Sequence, residues 1–295
     1  MIALLYGVAA ALGWGIADYA AGLAARRIGS FRVSLAMQLV GGSAFALALL
    51  ALGRWPRIDP DLLAVAAGLS ALGVLSLMAL YRALALGPIA VVAPVTAAYL
   101  AVTVLLVVAF LGERLSTVQG LAIAVTFAGV LLASTDLRIL RATLGRPAPG
   151  VRLAFVCMVG FGLWQALFAG VVRDHDGFGV ILTVRALSAL ALVGALVRVR
   201  LPAMTIVGRP LPLLGFDRRA LALVTVVGVF DTLANVAFFL GVDSGFASVV
   251  ATGSGAYPVV PAVLAITLLG ERLAPNQYLG VTVLLAGLVG LALAV

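Results

Sequence analysis

The chain has 295 residues, 64% of them hydrophobic and only 10% charged, against roughly 25% charged in soluble domains, which excludes a water-soluble globule. Its net charge of +8 rests on 19 basic residues, all arginine, lying almost entirely in short connections between apolar runs. There they set topology and meet anionic lipid, so no nucleic-acid partner is expected. The single cysteine, Cys157, excludes a disulfide framework and a cysteine-built metal site.

A helix crossing a bilayer needs ~20 mostly apolar residues. On that ruler the sequence predicts ten spans, at about 2–22, 31–53, 61–86, 88–111, 116–135, 151–172, 177–198, 219–241, 246–270 and 275–295. The runs are too long for barrel strands and do not alternate, so they read as helices. No basic residue precedes the first run and no small-residue cleavage site follows it, so it reads as a retained helix rather than a signal peptide. Most connections are very short, such as Gly87-Pro88 and Gly112-Glu113-Arg114, which makes successive helices antiparallel neighbours. The two longest are 136–150 and the proline-rich 199–218.

The stretch Leu80–Leu115 returns without a gap as Phe238–Leu273, with 13 of 36 positions identical. Gly112-Glu113-Arg114-Leu115 comes back as Gly270-Glu271-Arg272-Leu273, and Glu113 and Glu271 are the only glutamates. A repeat at this offset divides the chain into a first five-helix unit, 1–135, a linker, 136–150, and a second five-helix unit, 151–295. An odd number of spans per unit makes the second copy enter the membrane from the opposite side. The expected architecture is therefore an all-α polytopic membrane protein of ten transmembrane helices in two inverted five-helix repeats, the geometry of alternating access. Connections after odd-numbered spans hold 13 arginines and those after even-numbered spans hold 4, which places both termini outside the cytoplasm.

The two Gly-Glu-Arg segments read as tight interfacial turns with a local ion pair, glycine taking the left-handed position after a helix end. They are left outside the candidate site. Ionisable residues within spans are costly and point to function. Asp18 lies four residues after Trp14 on one face of the first span, and Asp231 and Asn235 repeat that spacing in the eighth, with Phe238 continuing the stripe. Arg82 and Arg185 are the basic counterparts. Arg32-Val33-Ser34-Leu35 and Arg185-Ala186-Leu187-Ser188 open related segments, which favours a structural role for Arg185. Asp18 and Asp231 have no such counterpart and read as cavity residues.

In the fourth span Thr96, Tyr99 and Thr103 form a polar and aromatic stripe, which the repeat matches with Ser254, Tyr257 and Pro261 in the ninth. Pro94, Pro258 and Pro261 break these two helices, and carbonyls freed by proline at membrane depth are tolerated where they line a cavity. Tyr81, Trp164 and Gln165 add aromatic faces and an amide. There is no HExxH, Gly-rich phosphate loop or nucleophile with a plausible base, and His175 sits in a loop between Asp174 and Asp176. No enzyme activity, cofactor or metal is expected, and transport would run on a gradient.

The pattern Ala83-Leu84, Gly112-Glu113-Arg114-Leu115, Gln119 and Ala128-Gly129-Val130 returns as Gly270-Glu271-Arg272-Leu273, Gln277 and Ala286-Gly287. Together with the segment around Trp14, it resembles the EamA-type members of the drug/metabolite transporter superfamily. The resemblance covers nearly the whole chain twice. It implies a basket-like fold whose central cavity is bounded by spans 1, 3, 4, 6, 8 and 9, with spans 5 and 10 as peripheral supports. It also implies export of amino acids, related metabolites or toxic organic compounds from a bacterium. Relatives usually keep both termini in the cytoplasm, and here the arginine bias points the other way.

The expected function is a secondary transporter of the bacterial inner membrane exporting amino acids or similar small metabolites by alternating access. Trp14, Tyr81, Tyr99, Trp164 and Tyr257 would form its aromatic walls. Thr96, Gln165, Asn235 and Ser254 would hydrogen-bond the polar head, and Asp18 or Asp231 would meet an ammonium group or carry a coupled proton. The partners are the small-molecule substrate and the bilayer; the sequence assigns no oligomeric state, and a monomer is compatible with it. The alternatives are a proton-coupled exporter of organic cations or drugs and, in another class, a non-transporting membrane assembly or lipid-handling scaffold.

Overall fold

The computed structural model describes residues 1–86, 92, 95–143, 150–199, 205–206, 209–210, 217–260, 263–264, 267 and 274–294. Its helices are α1 (Ile2–Ile28), α2 (Ser30–Ala51), α3 (Pro60–Leu86), α4 (Tyr99–Phe110), α5 (Thr117–Ser134), α6 (Leu137–Thr143), α7 (Val151–Asp174), α8 (Gly177–Val199), α9 (Arg218–Ser244), α10 (Ala247–Ser254) and α11 (Pro275–Ala294). A two-residue antiparallel pair, β1 (Thr205–Ile206) and β2 (Arg209–Pro210), precedes α9. Eight of the helices are long and apolar enough to cross a membrane, and Val95–Phe110 is a shorter apolar one. Apart from that pair, the regular structure among the described residues is helical, and the chain is a multi-pass membrane protein.

The fourth and ninth expected spans are not continuous α-helices among the described residues. In the ninth, α10 ends at Ser254, residues 255–258 form turns, and i→i+3 bonds run from Ala256 N–H to Gly253 O through Val260 N–H to Tyr257 O. Pro258 has no N–H to continue the ladder, and the tighter bonding takes it over. The fourth span tightens at the equivalent place, Ala101 N–H donating to Ala98 O as Val259 N–H does to Ala256 O. Pro94, Pro261 and the Gly270-Glu271-Arg272-Leu273 turn lie outside the described residues.

The interhelical contacts exchange between the halves. α1 packs along α9 as α7 packs along α3, α1 along α10 as α7 along α4, and α2 along α9 as α8 along α3. Three further pairs, α2 with α8, α4 with α10 and α5 with α11, join each helix to its own counterpart. Single residues carry the same exchange. A Cβ on Gly15 would meet Val260 and, at 2.9 Å, Tyr257 O, while one on Gly162 would meet Val102 and, at 3.0 Å, Tyr99 O. Tyr257 and Val260 are the repeat counterparts of Tyr99 and Val102.

Short signals in the sequence fix the helix ends. Ser116 and Gln119 form a capping box on α5, and Ala274 N–H donates to Gln277 Oε1 at 2.8 Å in the equivalent place before α11. The same two amides also tie the pair together. Gln119 Nε2 donates to Ala294 O at 3.3 Å and Gln277 Nε2 to Ala133 O at 3.1 Å.

The Gly-Glu-Arg turn corrects one expectation. Gly112 does adopt a left-handed φ of 67°, but Glu113 makes no local pair with Arg114. It is buried, 7% exposed, and takes Arg173 Nη2 at 2.6 Å, Ala247 N–H at 2.6 Å, Ser248 N–H at 3.0 Å and Ser248 Oγ at 2.6 Å. A carboxylate at a helix N-terminus meets orphan donors and the positive end of the dipole, so Glu113 fastens α10 and α7 to the end of α4. At the same end of the bundle Arg57 N–H donates to Asp176 Oδ2 at 3.0 Å, tying the loop before α3 to the start of α8.

Candidate functional site

Between the halves lies a cavity of about 220 Å³, the share of roughly seven waters in the liquid. Its walls combine one stripe from each repeat. α1 gives Trp14, Ala17, Asp18 and Ala21, and α7 gives Phe161, Trp164, Gln165 and Phe168. Both stripes have the spacing i, i+3, i+4, i+7, which puts four side chains on one face, and they correspond at the Gly15-to-Gly162 offset of 147 (162 minus 15). The amide of Gln165 therefore stands where the first half has the carboxylate of Asp18.

The aromatic side chains form two runs. Trp14 meets Phe238 at 5.8 Å between ring centroids, Phe238 meets Phe168 at 6.1 Å, and Phe168 stacks on Trp164 at 5.1 Å. Phe161 meets Tyr99 at 6.3 Å, and Tyr99 meets Tyr257 at 6.0 Å. Rings so arranged give a rigid, largely apolar wall at low conformational cost.

The polar groups are few. Arg185 of α8, 4% exposed, pairs through Nη2 with Asp231 Oδ2 and donates through Nη1 to Gln38 Oε1 at 3.2 Å. Asn235 Nδ2 holds Asp231 in place, donating to its carbonyl at 2.7 Å and to Oδ2 at 3.3 Å. Asp18 is exposed and faces the cavity. It feels the charge of Asp231 and has no hydrogen-bond or ion-pair partner among the described residues. Gln165, 3% exposed, donates through Nε2 to Ser254 Oγ at 3.2 Å and lies beside the Tyr99 hydroxyl. Its Oε1 makes no hydrogen bond of normal geometry.

Of the residues singled out in the sequence, Trp14, Asp18, Tyr99, Trp164, Gln165, Asp231, Asn235 and Tyr257 line this cavity. Ser254 is fully buried behind it and reaches it through Gln165. Thr96 is buried and does not line it. Tyr81 has a side chain outside the described residues. Three readings change. Asp231 lines the cavity but is engaged there by Arg185. Arg185 is a cavity residue rather than a remote structural one. Its spatial counterpart is Gln38 and not Arg32, because α2 and α8 correspond at the same offset of 147 (185 minus 38) that relates α1 to α7. The cavity is also broader than spans 1, 3, 4, 6, 8 and 9, since α2 supplies Ser34, Met37 and Gln38 and α8 supplies Val184, Arg185 and Ser188. The signal that would have found Gln38 and Phe161 was present, as polar or aromatic residues recurring at that second offset.

A model of the EamA-like transporter family matches residues 1–135 and again 148–293. No curated protein matches the sequence. Among solved structures, a crystal structure described only as that of a protein matches 99% of this chain and 99% of its own, with a TM-score of 0.76 at 17% identity. Likeness at that identity shows a shared fold.

Proposed function

The chain belongs to the EamA-like transporter family, within the drug/metabolite transporter superfamily, and we propose that it is a secondary transporter exporting amino acids or similarly small metabolites by alternating access. In this reading 1–135 and 151–295 are inverted five-helix repeats, ten spans in all, joined by the linker 136–150 in a bacterial inner membrane. Two nearly equivalent halves around one cavity can pack in two ways, one open to each side. The observation that carries the reading is the cavity, an aromatic chamber with a handful of polar groups, which is the composition of small-molecule sites. The exchange of helix contacts between the halves supports the inverted relation.

The roles follow from placement. Trp14, Tyr99, Trp164 and Tyr257 accommodate the apolar part of the solute, and Gln165, oriented by Ser254, and Asn235 address its polar head. Asp18 meets an ammonium group or carries a coupled proton. The ties of Glu113 and Asp176 hold one end of the bundle shut, while the lining residues Val33 and Ser34 lie within the first turns of α2 at the other. The solute then enters from the end that carries Ile28 and Ser30.

Counterflow in proteoliposomes, with labelled amino acids and organic cations, with and without a proton gradient, tests this. Saturable amino-acid flux, gradient-dependent in the parent and gradient-independent in Asp18→Asn, is the expected result. Absence of flux for either solute class in a folded, inserted sample removes the transport reading. A second reading, proton-coupled export of organic cations, is favoured by the unpaired carboxylate of Asp18 among six lining aromatic side chains, since such rings and an unpaired anion suit a cation. Flux of cations alone would select it.

A further inference from the structure

Arg185 does not use the whole of its guanidinium. A planar fork of five donors is built to hold a carboxylate by two nitrogens at once. Here the contact with Asp231 joins one oxygen to one nitrogen, Nη1 goes to an uncharged amide, and Nε has no hydrogen-bond partner although it is buried. Asp231 is fixed to its own helix by Asn235, which keeps it at the Nη2 end of the fork. The arginine stem is fixed as well. It crosses α2 at Gly41 and Gly42, where a Cβ on Gly41 would lie 3.0 Å from Nη1 and one on Gly42 would lie 3.6 Å from Arg185 Cβ. Arg185 thus brings to the cavity wall a buried charged donor that lacks a hydrogen-bond partner, the mark of a binding element.

The groups left without partners set what it binds. The charged residues lining the cavity, among those described, are Asp18, Asp231 and Arg185. Arg185 and Asp231 offset each other, and Asp18 remains. A solute with only a carboxylate would add a second negative charge in excess. A solute with only an ammonium group would satisfy Asp18 and leave Nε without a partner. A zwitterion gives both groups a partner.

We propose that Arg185 is the carboxylate-recognising residue of the cavity, so that its solutes carry a carboxylate bound at the Nε side of the guanidinium and an ammonium group bound at Asp18. This rests on the reading of the cavity as a transport site and narrows its substrate class to zwitterions. Asp231 then acts as a positioning residue, holding the guanidinium in place when the cavity is empty and sharing it when filled.

The test uses three matched probes, L-phenylalanine, phenethylamine and 3-phenylpropionate, which share a ring and differ in their charged ends. Equilibrium binding to the purified protein is read from tryptophan fluorescence, since Trp14 and Trp164 line the cavity. The parent should bind L-phenylalanine about tenfold or more tightly than either half-molecule. Arg185→Gln should abolish the preference over phenethylamine, and Asp18→Asn the preference over 3-phenylpropionate. Equal binding of phenethylamine and L-phenylalanine by the parent, or no binding of L-phenylalanine, overturns the assignment even if Arg185→Gln fails to fold. So does a preference that survives in Arg185→Gln. Counterflow separates the two readings. Zwitterion preference without flux sinks the transport reading and leaves Arg185 standing, whereas flux of the amine with no zwitterion preference does the reverse.

Discussion

Tyr99 and Tyr257 occupy the same position in the two repeats, 158 residues apart (257 minus 99), and their rings touch at 6.0 Å. In the proposed inverted-repeat arrangement, two equivalent residues meet where the axis relating the halves passes between them. Arg185 and Gln38, joined at 3.2 Å, mark the same line from the other side of the cavity. A wall built on an axis brings both halves to the solute at once, so a movement of either half changes it.

The contact is measurable without knowing a substrate. Tyr99→Leu and Tyr257→Leu, alone and together, form a double-mutant cycle on unfolding in detergent. Aromatic pairs contribute about 0.5–1.5 kcal/mol beyond their buried area, so the cycle should close with a coupling energy of that size. Additivity within about 0.3 kcal/mol would mean that the rings do not interact.

Gly15 and Gly162 should respond alike. A methyl group at either meets a valine and a carbonyl of the opposite half, and overpacking of this kind costs about 1–3 kcal/mol. Gly22, on the same helix as Gly15, has nothing within 4 Å of its Cβ position. There an alanine should be neutral or stabilising, by up to about 1 kcal/mol. Thermal unfolding of Gly15→Ala, Gly162→Ala and Gly22→Ala distinguishes a close packing seam from a general intolerance of alanine.

Glu113 yields a sharper contrast. Its removal leaves Arg173 and the first donors of α10 without their acceptor, and breaking a buried pair costs about 3–5 kcal/mol. Glu113→Ala should lose that much, Arg173→Ala less because Arg173 is partly exposed, and Arg114→Ala, on an exposed side chain, within about 0.5 kcal/mol. Equal losses for Arg114→Ala and Arg173→Ala would restore the local pair.

The sequence carried the helical spans, the duplication and the aromatic stripes, because each is a local or periodic signal. Trp14 to Asp18 is one turn of one helix, and Tyr99 to Tyr257 is a fixed repeat interval. It did not carry the partner of Glu113, which lies on helices 60 and 134 residues away (173 minus 113, 247 minus 113). Nor did it carry the role of Arg185. Matching Arg185 to Arg32 by residue type missed that the first helices of the two halves correspond at one interval and the later helices at another, the linker and loops having changed length between them. Helices α2 and α8 entered the cavity wall for the same reason. Their lining residues are small or apolar apart from Gln38 and Arg185, and nothing in such a run says which face is turned inward.

The pair α5 and α11 stands apart from the cavity, lining none of it, and the resemblance assigns these helices a supporting role. Their seam is built on equivalent glycines. A Cβ on Gly129 would lie 2.5 Å from Leu284 Cα, and one on Gly287 would lie 2.8 Å from Thr126 Cα, with Leu284 and Thr126 themselves repeat counterparts. Small residues let two helices approach closely where packing rather than water drives association. Gly129→Val and Gly287→Val should each lower stability by about 1–3 kcal/mol while leaving the affinity of a cavity-bound probe within about twofold. A support that moved with the cavity would behave otherwise, losing binding and stability in proportion. Probe affinity plotted against unfolding free energy for the two variants separates a passive strut from a helix pair coupled to the transport cycle.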